Sequence, residues 1–161
     1  MACDGVGPAA PRGGTHDEEH AMSITTTTHL NFRGRARAAL EHYRSVFGGD
    51  LAVVTYADAQ AVTAPEEADQ VMWGQVASPD GFRVMAYDVP SHTPHEPGVI
   101  PVFVSVRGTD ADELTGYWER LAADGTVVVP LGPAGWAPLY GMVRDPFGVT
   151  WVLDLAVDRV G

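Results

Sequence analysis

Residues 140–155, Tyr-Gly-Met-Val-Arg-Asp-Pro-Phe-Gly-Val-Thr-Trp-Val-Leu-Asp-Leu, decide how the fold is read. Asp145-Pro146-Phe147-Gly148 is a tight turn, because proline fixes one backbone dihedral and glycine permits a positive one. The residues on either side alternate with period two, as side chains do along a strand. On the second arm Val149, Trp151, Leu153 and Leu155 point one way, and Thr150, Val152 and Asp154 the other. The bulky set is expected to pack under a helix. The mixed set is expected to face the cavity of a curled sheet.

Working outward, Tyr140–Arg144 and Thr126–Pro130 read as the two preceding strands. Before them comes a helix. Asp110 can cap it, with Glu113 three residues on, and Leu114, Tyr117, Trp118 and Leu121 form its apolar face. Asp124-Gly125 ends it, and Pro101–Val106 reads as the strand before it. The same order occurs in the first half. Ile24–Phe32 reads as a strand. Arg35–Phe47 reads as a helix with Ala36, Leu40, Tyr43 and Phe47 on one stripe, closed by Gly48-Gly49. Leu51–Tyr56, Gln70–Ala77 and Phe82–Val89 follow as strands, the last two joined by the turn Ser78-Pro79-Asp80-Gly81. The same parity turns Arg83, Met85 and Tyr87 inward.

The expected fold is therefore α+β, with two tandem β-α-β-β-β modules whose curled mixed sheets surround a cavity. The first module takes residues 22–89 and the second 99–161, joined by the Pro/His linker 90–98. Residues 1–21 are rich in Gly, Pro and acid without periodicity and are expected to be a disordered tail. A helix covers only one face of each module's sheet. The other face needs a partner, which a second copy of the unit can provide.

The bulk numbers narrow the function. The 161 residues carry a formal net charge of -11, with 10 basic residues, all of them arginine. A nucleic-acid surface needs excess cations, so DNA or RNA is not an expected partner. Attraction to anionic membranes is disfavoured for the same reason. The lone Cys3 excludes an intrachain disulfide framework and Cys-rich zinc sites. No apolar run approaches the roughly 18 residues of a membrane span. A cytoplasmic protein is expected.

Three stretches resemble a known family. Ala39-Leu-Glu-His-Tyr-Arg-Ser-Val-Phe-Gly-Gly-Asp50 is similar to the first helix of the PhnB-like branch of the vicinal oxygen chelate (glyoxalase/bleomycin resistance/dioxygenase) superfamily. Tyr140–Trp151 resembles that branch's closing hairpin, and Val84-Met-Ala-Tyr-Asp-Val-Pro90 its end-of-module strand. The resemblance covers roughly residues 24–156. It implies the fold and a cavity site, often shared across a homodimer, but no particular reaction.

Many members of that superfamily hold a divalent ion with inward His or Glu on the first and last strand of each module. The resemblance places those positions at Val152, Met85 and near Thr27 and Pro101. Valine and proline cannot ligate, methionine suits soft copper, and threonine is a poor ligand alone. No metal or other cofactor is expected; a divalent metal is the alternative. His29 shares a strand face with Thr27 and Asn31, and reads either as a hydrogen-bonded cavity wall or as a general base. His16-Asp17-Glu18-Glu19-His20 and His92-x-x-His95-Glu96 fall in the tail and linker and read as solvated segments.

The expected ligand wall comprises Asn31, Trp73, Arg83, Met85, Tyr87, Phe103, Trp136, Tyr140 and Val152. Trp73 and Tyr140 read equally as core. Trp136 lies in the Gly/Pro loop 132–138, a plausible lid. Trp118 and Trp151 belong to the core, and Arg33, Arg35 and Arg37 to a solvated face. An inward Arg83 needs an anion, for which Asp154 is the candidate; alone, Asp154 is a candidate base. Two functions follow. One is metal-independent sequestration or binding of a drug or metabolite by a homodimer. The other is a glyoxalase-like isomerase, lyase or dioxygenase using a divalent metal, or His29 or Asp154 as base.

Overall fold

The computed structural model describes residues 24–157, so the expected tail 1–21 lies outside the described residues, as do the outermost residues of both modules. The first module runs β1 (Thr28–Phe32), α1 (Ala36–Phe47), β2 (Asp50–Thr55), β3 (Val71–Ala77) and β4 (Arg83–Asp88). The second runs β5 (Phe103–Gly108), α2 (Ala111–Asp124), β6 (Thr126–Ala134), β7 (Ala137–Arg144) and β8 (Thr150–Leu155). Each module is one four-stranded mixed sheet, ordered β1-β4-β3-β2 and β5-β8-β7-β6. The first strand pairs parallel with the last in both, and the other pairs are antiparallel.

The registers make the repeat residue by residue. His29 pairs with Met85 and Asn31 with Tyr87; Ser105 pairs with Val152 and Arg107 with Asp154. Two strands start well after the expected residue. β1 begins at Thr28 because β4 supplies partners only from Val84 onward. β5 begins at Phe103, where β8 begins, and not at Pro101. Pro101 has no N–H for a ladder, and it follows Gly98 and Ile100, both with positive φ.

The two helix starts use different chemistry. On α2 the expected cap forms: Asp110 Oδ1 accepts from the Asp112 and Glu113 N–H groups at 2.9 and 3.1 Å. On α1 the residue before the helix, Arg35, offers no side-chain cap. Buried Asp88, from β4, substitutes. Its Oδ1 accepts from Gly34 N and Ala36 N at 2.7 and 3.0 Å, and its Oδ2 from Val71 N at 2.9 Å.

The helix-covered faces of the two sheets share one apolar core. Tyr43 and Phe47 of α1 reach Trp151 of β8, with ring centroids 5.1 and 5.3 Å apart. Phe47 also stacks on Phe82 at 3.9 Å and touches Tyr117 at 4.9 Å. The second module thus meets the first through the helix layer.

The Asp145–Gly148 turn completes the junction. Asp145 Oδ2 accepts from Tyr43 Oη at 2.7 Å and Trp151 Nε1 at 2.9 Å. Its Oδ1 closes the turn on the Phe147 and Val149 N–H groups. Arg35 donates to the Pro146 carbonyl at 3.0 Å and lies over the Phe147 ring. Arg33 donates to the Val89, Pro90 and Thr93 carbonyls and pins the linker. Both arginines are exposed, as expected of a solvated face, and from there they reach the carbonyls that strand and linker ends bring to them.

Two glycines let the helices sit close. A Cβ on Gly74 would stand 2.4 Å from Leu40 Cδ1, and one on Gly141 would stand 2.7 Å from the Trp118 ring. They occupy matching places, opposite Ala86 and Leu153. Gly141→Ala is expected to cost about 2 kcal/mol by overpacking a rigid indole. Urea unfolding checks this, and a Trp118→Leu background should recover part of the loss.

Burial raises the Tyr43 hydroxyl well above its ordinary range, and the Asp145 carboxylate raises it further. Tyr117 is pushed up to about 12, by burial first and then by its hydrogen bond to Glu113. A raised folded value stabilises the fold fully below the unfolded value of about 10. That stability is lost as pH rises through the folded value. The unfolding midpoint is therefore expected to fall between pH 10 and 12, with phenolate absorbance at about 295 nm following the same curve.

Candidate functional site

The open face of the first sheet is built by alternation. His29 and Asn31 come from β1, Arg83, Met85 and Tyr87 from β4, and Trp73 and Gln75 from β3. The register sets Gln75 beside Met85, and Trp73 shares the face of Gln75 two residues along β3. Met85, Tyr87 and Trp73 are half-buried, and His29, Asn31 and Arg83 exposed. His29 Nδ1 lies 3.0 Å from Asn31 Oδ1. The imidazole meets the Tyr87 ring edge-on, centroids 5.2 Å apart. Five expected site residues, His29, Asn31, Trp73, Met85 and Tyr87, therefore form one patch. Arg83 lies at the far end of that face, against Ala77.

The open face of the second sheet carries Phe103, Ser105 and Arg107 from β5, Val152 and Asp154 from β8, and Tyr140 and Met142 from β7. Asp154 is 7 % exposed, and both of its oxygens accept from Arg107, at 2.8 to 3.2 Å. Its cation is thus Arg107, not Arg83 as the sequence reading had it. The pairing is a register consequence: Arg107 stands directly across from Asp154, whereas Arg83 belongs to the other sheet. Nor is Arg83 a buried cation needing an anion, since it is exposed.

The expected loop lid at 132–138 is mostly strand. β6 and β7 extend to Ala134 and Ala137, leaving Gly135 and Trp136 as the hairpin tip. Pro130 and Pro133 are tolerated because β6 is an edge strand with repeated register shifts. Trp136 is 61 % exposed and packs edge-on against Tyr140, centroids 5.2 Å apart. A tip residue lying against an open-face tyrosine still borders that face.

One groove of about 410 Å³ runs between the modules, lined among others by Thr28, Phe82, Arg83, Ser105, Arg107 and Tyr117. Of the residues expected to bind ligand, only Arg83 borders it. The others lie on the open faces, each a single sheet surface within one chain. Sequence reasoning missed Ser105 and Gln75. Both are legible from the repeat, since Ser105 stands across from Val152 as His29 stands across from Met85.

That register also moves the first-strand metal positions from the neighbourhood of Thr27 and Pro101 to His29 and Ser105. The four equivalent positions then hold an imidazole, a thioether, a hydroxyl and a hydrocarbon. A hard divalent ion wants several N and O donors converging, commonly including carboxylate. This set does not fit one. Among the described residues no group of three or more His, Cys, Asp or Glu is placed to hold a metal. No described helix is long and apolar enough to cross a membrane.

The chain is similar to uncharacterized proteins of mycobacteria. Mb0911c of Mycobacterium bovis is 36% identical over 110 residues, covering 57% of this chain and 71% of that protein. Rv0887c of Mycobacterium tuberculosis is 36% identical over the same length, covering 64% of its own chain. Among solved structures, protein PA1353 from Pseudomonas aeruginosa superposes with TM-score 0.74 at 31% identity, over 84% of this chain and 100% of that one. A PhnB protein from Bacillus cereus, titled a putative 3-demethylubiquinone-9 3-methyltransferase, superposes with TM-score 0.63 at 24% identity, over 83% and 100%. The second likeness speaks for the fold alone. With the doubled β-α-β-β-β register and a family match over residues 20–153, this chain belongs to the Glyoxalase/Bleomycin resistance protein/Dioxygenase superfamily.

Proposed function

We propose that this protein binds a drug-like or metabolic small molecule on its open sheet faces, without the divalent ion many relatives hold. The observation that carries the reading is the makeup of the inward rows. Where a hard cation would need His and Glu, the chain offers His29, Met85, Ser105 and Val152, flanked by Trp73, Tyr87 and Tyr140. Polarisable, mostly uncharged walls with a few hydrogen-bonding groups suit organic ligands.

On the same reading the working unit is a cytoplasmic homodimer whose second copy closes the open faces. Val102, Phe103 and Trp136 are 62 %, 51 % and 61 % exposed and would gain cover in that way. The test uses full-length protein. Sedimentation should give a dimer, and metal analysis well below one ion per chain. Trp73→Ala should weaken binding of any cavity-sized ligand about tenfold or more through lost aromatic contact. A stoichiometric divalent ion, or a monomer that binds ligand as tightly as wild type, would overturn the reading.

A second reading has one observation in its favour. With Asn31 Oδ1 as the acceptor, the neutral His29 ring carries its hydrogen on Nδ1, which leaves Nε2 to act as a base. Asp154 is the weaker base, since Arg107 occupies both its oxygens. A substrate panel with His29→Ala decides; turnover unaffected by that change removes His29.

A further inference from the structure

We infer that the first module's open face selects uncharged, flat aromatic molecules that carry a hydroxyl or ring N–H, and that His29 Nε2 is the group that accepts that proton donor. The inference rests on the small-molecule reading above and names its ligand class.

Three observations converge. The first is charge. The patch formed by His29, Asn31, Trp73, Gln75, Met85 and Tyr87 contains no Asp, Glu or Arg, in a chain of formal net charge -11. The charged side chains that the register puts on this face, Arg83 of β4 and Asp50 of β2, sit at its other end, on either side of Ala77. A ligand resting on the patch meets no counter-ion, so burying a formal charge there would cost free energy without compensation.

The second is shape. Trp73 lies two residues along β3 from Gln75, which pairs with Met85, and Tyr87 takes the His29 ring edge-on at 5.2 Å. Met85 lies between His29 and Gln75 in the adjoining row. Flat rings and a thioether on a pleated surface offer dispersion contact to another flat ring.

The third is the hydrogen bond between His29 and Asn31. Amide oxygen has lone pairs and no hydrogen, so the 3.0 Å contact from Asn31 Oδ1 requires the hydrogen on His29 Nδ1. In the neutral ring the other nitrogen then presents a lone pair. A covered ligand lacking a donor leaves that lone pair without water or partner, which is penalised more than the bond itself is worth. The second module's equivalent row cannot repeat this. Ser105 stands where His29 does, and Arg107 with Asp154 replaces Asn31 with Tyr87. Selection therefore lies with the first module.

Matched probes test it on the full-length protein at pH 7.5 by calorimetry: 2-naphthol, 2-methoxynaphthalene and 2-naphthoate. We expect 2-naphthol to bind roughly five- to tenfold tighter than its methyl ether, and naphthoate weakest. In His29→Phe, which keeps a flat ring at an exposed position, the naphthol-to-ether ratio should fall to within about twofold, and Asn31→Ala should reduce it partly. Unfolding curves of both variants confirm that they fold. Binding of all three probes with equal affinity, or a ratio unchanged in His29→Phe, overturns the donor selection while leaving a small-molecule pocket in place. Tightest binding of naphthoate overturns the neutrality argument. No binding of any probe overturns both this inference and the reading beneath it.

Discussion

Asp88→Ala is expected to destabilise the protein by about 4 kcal/mol, lowering Tm by roughly 10–15 °C. Asp88 is 2 % exposed, and its carboxylate satisfies three backbone N–H groups from two elements. Two of them, Gly34 and Ala36, stand at the start of α1, where no local side chain caps the helix. Alanine removes all three acceptor contacts together, and each buried donor left unpaired costs about 1–3 kcal/mol. Water entering the gap offsets part of that. Asp88→Asn should lose about half as much, because its amide keeps one oxygen for the α1 donors but turns an NH₂ toward Val71 N. The comparison with α2 makes the case specific. Asp110 caps α2 from an exposed position, so Asp110→Ala should cost only about 1 kcal/mol. Equal losses at Asp88 and Asp110 in urea titrations would count against the cross-element cap.

Asp145→Ala is expected to cost about 3–4 kcal/mol and to loosen the junction between the modules. Its carboxylate takes two side-chain donors, Tyr43 Oη and Trp151 Nε1, and two backbone donors of its own turn. Tyr43→Phe removes one of these and should cost about 1–2 kcal/mol. The double variant should be little worse than Asp145→Ala alone, giving a coupling energy of about 1 kcal/mol or more. Near-UV circular dichroism gives a second readout, since Trp151 loses both its hydrogen bond and its fixed contact with Tyr43. Strict additivity of the two changes would show that the hydroxyl does not join the modules through Asp145.

The sites that carry these two effects were not legible in the sequence as such. Asp88 reads there as the end of a strand, and Asp145 as the first residue of a Pro-Gly turn. Both descriptions are right locally. Their larger roles come from sequence-distant donors, with Ala36 lying 52 residues from Asp88 and Tyr43 lying 102 from Asp145. Arg33 and Arg35 lie on the exposed face expected of them, but their carbonyl partners were not legible, since carbonyls are not visible as a pattern of side chains. The 132–138 loop failed differently. Its Gly and Pro content argued for a lid, yet edge position and register shifts allow strand there.

Period-two and helical spacing were enough to determine the order of elements, the doubling of the unit and the facing of β1, β4 and β8. Alternation is local, and it survives folding because one face of each sheet must lie under a helix. It placed Trp118 and Trp151 in the core and grouped His29, Met85 and Tyr87 on one face. Register, and with it chemistry, was decided only in three dimensions. Which residue stands across from Met85, which arginine reaches Asp154, and that the modules meet through their helices all depend on pairing between distant segments. Such pairings are chosen by the packing of the whole core, to which any single stretch contributes only a part.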